Sequence, residues 1–173
     1  SMSALASGLD MTCATVGAAM SMSIARTEPM HMIYGFSDGR AAGSGGYLAG
    51  RNALCDLKIN AKMSLADITS KTSRLAFGGT DCALPMVWAR ENKVEVDTFV
   101  VITDNETWFG GVHPHIALQD YRQKMGIPAK LVVLAMTSTG FTIADPTDTG
   151  MMDVVGVDAA VPRLVSDFSA NRV

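Results

Sequence analysis

Residues 97–107 read Asp-Thr-Phe-Val-Val-Ile-Thr-Asp-Asn-Glu-Thr, an apolar run followed at once by acidic and hydroxyl side chains. Residues 98–102 are rich in β-branched and aromatic side chains without polar alternation, which is typical of a strand covered on both faces of an α/β sheet. Such folds bind ligands at the carboxyl ends of their strands. Asp104 and Glu106 offer hard oxygen ligands for a divalent cation, although a solvated loop after a buried strand has the same composition.

A second polar turn lies at residues 77–86, which read Phe-Gly-Gly-Thr-Asp-Cys-Ala-Leu-Pro-Met. The glycine pair permits unusual backbone angles, and Thr80 and Asp81 stand at the start of a predicted helix. The Thr80 hydroxyl could join Asp104 around one metal ion. The alternative is a simple N-cap, in which Thr80 or Asp81 accepts hydrogen bonds from backbone N–H groups of the helix.

Helical and extended patterns alternate along the rest of the chain. Helices are predicted over 5–24, 64–73, 82–90, 116–125 and 160–169, and strands over 30–36, 53–59, 98–102, 129–135, 141–144 and 151–157. This alternation predicts an α/β fold with a doubly wound, mainly parallel sheet and helices on both faces. The absence of an internal repeat or linker predicts one domain over residues 1–173.

Composition limits the class of protein. The chain has 173 residues, 48% of them hydrophobic and 18% charged, which suits a folded domain with a sizeable core. A formal net charge of −3 means that the chain has no excess of basic residues for binding nucleic acid. The chain is therefore not expected to be the main RNA-binding part of any ribonucleoprotein. Cys13, Cys55 and Cys82 lack disulfide or zinc spacing, which favours a reducing, cytoplasmic setting. No apolar run is long enough to predict a membrane span.

Five segments together resemble one known family. They are Gly-Gly-Thr-Asp-Cys at 78–82, Thr-Asp-Asn-Glu-Thr at 103–107, Gly-Gly-Val-His-Pro at 110–114, Tyr-Arg-Gln-Lys-Met-Gly-Ile-Pro-Ala-Lys at 121–130 and Gly-Phe-Thr-Ile-Ala-Asp-Pro at 140–146. In order and spacing these segments closely resemble the C-terminal von Willebrand factor A (vWA) domain of Ro proteins, the partners of Y RNA. The resemblance covers nearly the whole chain and implies the Rossmann-like vWA fold.

The resemblance also implies a metal-ion-dependent adhesion site. Carried over by matching motif, its ligands are Thr80, Asp104 and Ser1, and its ion is a divalent cation, Mg²⁺ first, with Mn²⁺ or Ca²⁺ as alternatives. Ser1-Met2-Ser3 is similar to the end of the family's Asp-x-Ser-Gly-Ser-Met loop, whose Asp, first Ser and preceding strand are missing here. The sequence is therefore expected to be an N-terminally incomplete piece of a vWA domain. The alternatives are that another segment supplies the strand, or that the likeness at Ser1 is accidental.

The function implied by the resemblance is a non-enzymatic binding module. Its metal would bridge to an acidic group of a protein partner or to a phosphate, with Glu106, Trp108 and Phe109 in contact with the partner. Trp108 and Phe109 could equally cover the edge of the core. The module would belong to a Ro-like ribonucleoprotein in noncoding and misfolded RNA binding and quality control. Y RNA or another noncoding RNA would be held by the remainder of that protein, with no membrane involved.

Two other functions stay open. One is a metal-dependent hydrolase with Asp104 and Glu106 on the cation and His113 as the base, although no Gly-x-Ser-x-Gly nucleophile motif is present. The other is a structural domain with a vestigial site. His113-Pro-His115 does not predict zinc, because no nearby Cys or third His would complete a tetrahedral site.

Overall fold

The computed structural model describes residues 2, 5, 6, 10–36, 54–73, 81–105, 110–137, 140 and 143–173. Backbone contacts group the chain into two compact units, Ser1–Gly79 and Thr80–Val173. The expectation of one domain over residues 1–173 stays a prediction.

Helix α1 of the first unit spans Cys13–Thr27. The prediction of a helix over 5–24 is wrong at its start, because Thr12 has extended backbone and its side chain accepts a hydrogen bond from the Thr15 N–H. This N-cap begins the helix later than apolar spacing alone indicates. Leu5 instead forms an isolated antiparallel bridge with Thr12. The helix ends just before Pro29, as predicted.

Two short strands of the first unit pair with each other. Strand β1, Tyr34–Phe36, lies antiparallel to β2, Leu54–Asp56. Both are shorter than the predicted 30–36 and 53–59. Strand β2 ends where the Asp56 carboxylate accepts a hydrogen bond from the Lys58 N–H, a turn that takes the chain out of the extended conformation.

Helix α2, Leu65–Thr72, completes the described part of this unit and agrees with the prediction over 64–73. Ser64 and Asp67 form a reciprocal capping box, in which each side chain accepts a hydrogen bond from the other residue's backbone N–H. A small core joins α1, α2 and the segment after β2. Its buried members are Ala18, Ala25, Leu57, Ile59 and Ile68.

The second unit alternates helices and strands. Its elements are α3 Leu84–Glu91, β3 Thr98–Asn105, α4 Pro114–Met125, β4 Lys130–Thr137, β5 Met151–Val155 and α5 Val161–Ser169. The three strands form a parallel sheet in the order β3-β4-β5. Strand β4 lies in the middle and is buried from Leu131 to Met136, as its unbroken apolar sequence requires. The predicted α/β class and parallel sheet are confirmed.

The start of α3 and the strand predicted over 141–144 differ from the structure. Helix α3 begins at Leu84 rather than at 82, because Asp81 holds the two intervening residues in a turn. The Asp81 carboxylate accepts a hydrogen bond from the Ala83 N–H, and the Asp81 backbone carbonyl accepts one from the Leu84 N–H. The predicted strand over 141–144 is wrong for its described half. Ile143 and Ala144 lie in a bend, and the Ala144 N–H donates to the side-chain carboxylate of Asp153 in β5 rather than to a backbone carbonyl.

Helix α4 begins and ends with the expected signals. Pro114 occupies its first turn, where a missing N–H costs nothing, and Gly126 closes it with a left-handed φ of 70°. Among the helices that the structure describes, none combines the length and apolar character required to cross a bilayer.

Candidate metal-binding site

Asp104 lies at the carboxyl end of β3, where the parallel sheet presents its ligand-binding edge. The residue is only 7% exposed, and its backbone carbonyl accepts a hydrogen bond of 2.6 Å from the Thr137 hydroxyl at the end of β4. Asp104 therefore lies at the end of the sheet where parallel α/β folds commonly bind ligands.

Cys82, two residues after Thr80 in the sequence, lies within electrostatic reach of Asp81 and Asp104. The Cys82 thiol is fully buried, and burial raises its pKa to about 12, with smaller contributions from the charges of Asp81 and then Asp104. Both carboxylates are therefore within electrostatic reach of one sulfur atom. A thiol with so high a pKa stays protonated and is a poor nucleophile.

Gly110 packs directly against the Asp81 carboxylate. A Cβ atom placed on Gly110 would lie 2.7 Å from Asp81 Oδ1 and 2.8 Å from its Cγ, closer than real side chains come. Only glycine allows this approach. The sequence shows a Gly-Gly pair at this point but does not reveal which group it meets. The contact was therefore missed by sequence reasoning.

His113 is the N-cap of α4 and is paired with His115. Its Nδ1 accepts a hydrogen bond from the His115 backbone N–H at 3.4 Å and lies 2.6 Å from His115 Nδ1. Because His113 Nδ1 already acts as an acceptor, the shared proton belongs to His115. Burial lowers the pKa of His113, and the neighbouring His115 lowers it further. His113 is therefore a neutral capping group whose Nδ1 is already occupied.

Of the expected ligand and partner-binding residues, the structure describes only Asp104, and the ligand set stays a prediction. Ser1, Thr80, Glu106, Trp108 and Phe109 lie outside the described residues. Within the described ranges, no three His, Cys, Asp or Glu side chains form a group that could hold a metal ion. Hydroxyl oxygens supply two of the three expected donors, so the expected site does not require such a group.

The chain is similar to known proteins over most of its length. The family model for the Ro60 vWA domain matches residues 1–169. The RNA-binding protein RO60 of Deinococcus radiodurans is 44% identical over 156 residues, which cover 90% of this chain and 27% of that protein. The RNA-binding protein RO60 of Caenorhabditis elegans is 41% identical over 121 residues, covering 69% of this chain and 19% of that protein.

A solved structure agrees with these relatives. The crystal structure of the Deinococcus radiodurans RO (RSR) protein matches 99% of this chain with a TM-score of 0.83 and 41% sequence identity. The match covers 32% of that protein's chain. This chain therefore spans less than a third of the length of each of these relatives.

Proposed function

Because this chain belongs to the Ro60 vWA domain family, we propose that it is a binding module that holds a divalent cation at Asp104 and performs no catalysis. The observation that supports the proposal is the position of Asp104, which is 7% exposed and lies at the carboxyl end of a strand in the parallel sheet. A carboxylate at that position is a suitable hard oxygen ligand for a divalent cation. Thr80 and Ser1 are the proposed hydroxyl ligands beside it.

The donor set favours a hard cation. Carboxylate and hydroxyl oxygens suit Mg²⁺, Mn²⁺ or Ca²⁺, and three protein ligands leave coordination positions open. When bound, the cation would bridge to an acidic group of a protein partner or to a phosphate. We propose that Glu106, Trp108 and Phe109 contact that partner beside the metal.

Two features of the site argue against the hydrolase alternative. Nδ1 of His113, the candidate base, accepts a backbone hydrogen bond and pairs with His115. The Cys82 thiol, with its pKa of about 12, is not activated for attack. Binding without turnover therefore explains this arrangement better.

The names of the relatives support a proposal for the wider role. The relatives from D. radiodurans and C. elegans are named RNA-binding proteins. We propose that this chain serves a Ro-like ribonucleoprotein of the cytoplasm in the quality control of noncoding and misfolded RNA. The net charge of −3 supports a division in which Y RNA or another noncoding RNA is held by the remainder of such a protein.

Metal-dependent unfolding tests the site. Thermal unfolding of the chain is compared in EDTA and in excess Mn²⁺ or Mg²⁺, for the wild type and for Asp104→Asn. A cation bound only by the native state stabilises it by about 2.7 kcal/mol at a hundred times its dissociation constant. We expect the wild-type midpoint to rise with metal and that of Asp104→Asn to stay constant.

Asp97→Asn is the matched control, since Asp97 is an exposed carboxylate just before the opposite end of the same strand. This variant should keep the full metal response. A wild-type chain that unfolds cooperatively without any metal response would contradict the proposed site. Metal-dependent phosphoester hydrolysis that His113→Ala abolishes would instead establish the hydrolase.

A further inference from the structure

We propose that the thioethers of Met30 and Met32 and the imidazole of His31 form a binding site for a soft monovalent cation of the Cu(I) class. The three residues lie in the first unit, on the connection between α1 and β1. Their donors are two sulfur atoms and one ring nitrogen, so the site takes a different class of ion from the oxygen site at Asp104. This inference does not depend on the proposed function.

Both methionine side chains of this site lie in solvent. Met30 is 95% exposed and Met32 is 53% exposed, and Met30 is the most exposed large apolar side chain in the described part of the chain. Methionine is usually among the buried residue types. A single exposed apolar side chain is ordinary, but here two of them flank an imidazole in the sequence. Their sulfur atoms are therefore accessible to an ion without any rearrangement of the core.

The hydrogen bond of His31 leaves its second ring nitrogen as an electron-pair donor. Nδ1 lies 2.6 Å from the backbone carbonyl oxygen of Glu28. A carbonyl only accepts, so Nδ1 carries the proton and Nε2 of the neutral ring carries the lone pair. Metal-binding histidines commonly donate their other ring N–H to a backbone carbonyl, which fixes the tautomer and the ring orientation. His31 thus makes the outer contact that is typical of a metal ligand, with Nε2 as the donor atom.

The backbone on either side of the three residues is held in place. Before them, the Glu28 N–H donates to the Ile24 carbonyl at the end of α1, and Pro29 has a restricted backbone angle φ. After them, the Ile33 carbonyl accepts from the Leu57 N–H at 3.0 Å, and the Ile33 side chain packs against the core of the first unit. The exposed site therefore lies on a segment anchored at both ends, which limits the entropy lost when an ion binds.

Flexible side chains allow the two sulfur atoms to converge on one ion. Methionine is unbranched, with three rotatable bonds and a polarizable sulfur. The backbone bends at Pro29 and Met30, so the strict alternation of side chains along an extended strand does not place Met30 and His31 on opposite faces. Binding therefore requires rotation of exposed methionine side chains and no change in the helix or the strands.

The donor set selects a soft ion. Thioether sulfur favours Cu(I), whereas carboxylate and carbonyl oxygens suit Mg²⁺, Ca²⁺ and Mn²⁺. All three donors are neutral, so binding adds one positive charge and displaces no proton from the neutral imidazole. Ag(I) has the same charge and soft character as Cu(I) and is stable in air, which makes it a suitable probe.

Ag(I) binding is measured by titration calorimetry in a chloride-free nitrate buffer. A second measurement follows the oxidation of each methionine by hydrogen peroxide, with and without Ag(I), by mass spectrometry. The parent protein carries Cys55→Ser, because that partly buried thiol is also a soft ligand, whereas Cys13 and Cys82 are buried. Urea unfolding checks that the parent and each variant are folded.

Loss of an outer contact around a metal ion typically weakens affinity about 10–100-fold, so loss of the ligands themselves should cost at least as much. We expect the double variant Met30→Leu/Met32→Leu, and separately His31→Gln, to weaken Ag(I) binding about tenfold or more. Met11→Leu is the matched control, since Met11 is 42% exposed and lies outside the site, and it should bind Ag(I) like the parent. Ag(I) should slow the oxidation of Met30 and Met32 but not that of Met11.

Equal Ag(I) affinity in the parent and in Met30→Leu/Met32→Leu would mean that these are solvent-exposed methionines only, and it overturns the proposal. Parent affinity in His31→Gln overturns the assignment of Nε2 as a ligand. Asp104→Asn should bind Ag(I) like the parent, and excess Mg²⁺ should not displace the ion. Failure of the oxygen site at Asp104 therefore leaves this soft-ion site intact, and the two proposals are tested separately.

Discussion

At the scale of single residues, the His113 imidazole closes the amino end of α4 as a hydrogen-bond acceptor. Its Nδ1 accepts from the His115 backbone and pairs with the His115 ring, and both bonds require that Nδ1 carry no proton. Burial and the adjacent His115 keep the pKa of His113 below its ordinary value. Hydrogen bonds from the Thr147 hydroxyl and backbone N–H lower the pKa of the Asp145 carboxyl. The nearby His115 imidazole makes a smaller contribution in the same direction.

This arrangement predicts a pH dependence of stability. A histidine whose folded pKa lies below its unfolded value of about 6.5 contributes stability above that pH, and the contribution is lost as the pH falls towards the folded pKa. We expect His113→Asn, which keeps a capping acceptor but cannot titrate, to flatten the fall in unfolding free energy below about pH 6.5. Urea unfolding across pH 5 to 8 measures the unfolding free energy of both proteins. If that free energy falls with decreasing pH as steeply in the variant as in the wild type, His113 is not the cause of the fall.

At the scale of elements, Arg122 joins the last turn of α4 to the connection that enters β5. Its Nε donates to the Ala129 carbonyl at 2.6 Å, and its Nη1 donates to the Asp148 carboxylate at 2.5 Å. Burial by itself would raise the pKa of Asp148, but hydrogen bonds from Arg122 and from the Gly150 N–H outweigh it and lower that pKa. Arg122 thus satisfies acceptors on two separate segments.

Arg122→Met should lower the free energy of unfolding by about 1–3 kcal/mol, because the half-buried Asp148 carboxylate and the Ala129 carbonyl lose their donor. Urea denaturation gives this difference directly. Arg163→Met is the control, since Arg163 is 87% exposed and its pair with Asp167 at 3.5 Å lies on the surface. If the two substitutions lower the free energy of unfolding equally, the proposed stabilising role of the Arg122 contacts is wrong.

At the scale of the whole molecule, the acidic net charge argues against RNA binding by this chain, whereas membership of the Ro60 vWA family connects it with RNA-binding proteins. The relatives are named RNA-binding proteins, yet this chain has a formal net charge of −3 and spans less than a third of each of those relatives. RNA affinity depends on Lys and Arg side chains that neutralise phosphates. The acidic balance therefore predicts weak RNA binding by this chain.

The isolated chain is accordingly expected to bind structured RNA only weakly at physiological salt. A gel-shift titration with a hairpin RNA at several salt concentrations checks this, with the D. radiodurans RNA-binding protein RO60 as the positive control. Tight, salt-sensitive binding by this chain alone would place the RNA contact here and contradict the division of roles.

Local signals in the sequence predicted several elements well. Strands β3 and β4 follow from unbroken apolar runs, α2 follows from Ser64 and Asp67, and the start of α4 follows from Pro114. These features depend on neighbouring residues, so they can be read from one short segment. The late start of α1 was missed because the Thr12 cap competes with an apolar pattern that continues on both sides of it.

By itself, the sequence determined the α/β class, the family and Asp104 as the acid at the end of a buried strand, because apolar runs, polar turns and motif order are properties of the linear chain. The tertiary structure decided the antiparallel pairing of β1 with β2, the burial of Asp104 and the close packing of the Asp81 carboxylate against Gly110. Each of these depends on atoms brought together from segments far apart in the sequence, and no local pattern specifies which segments meet.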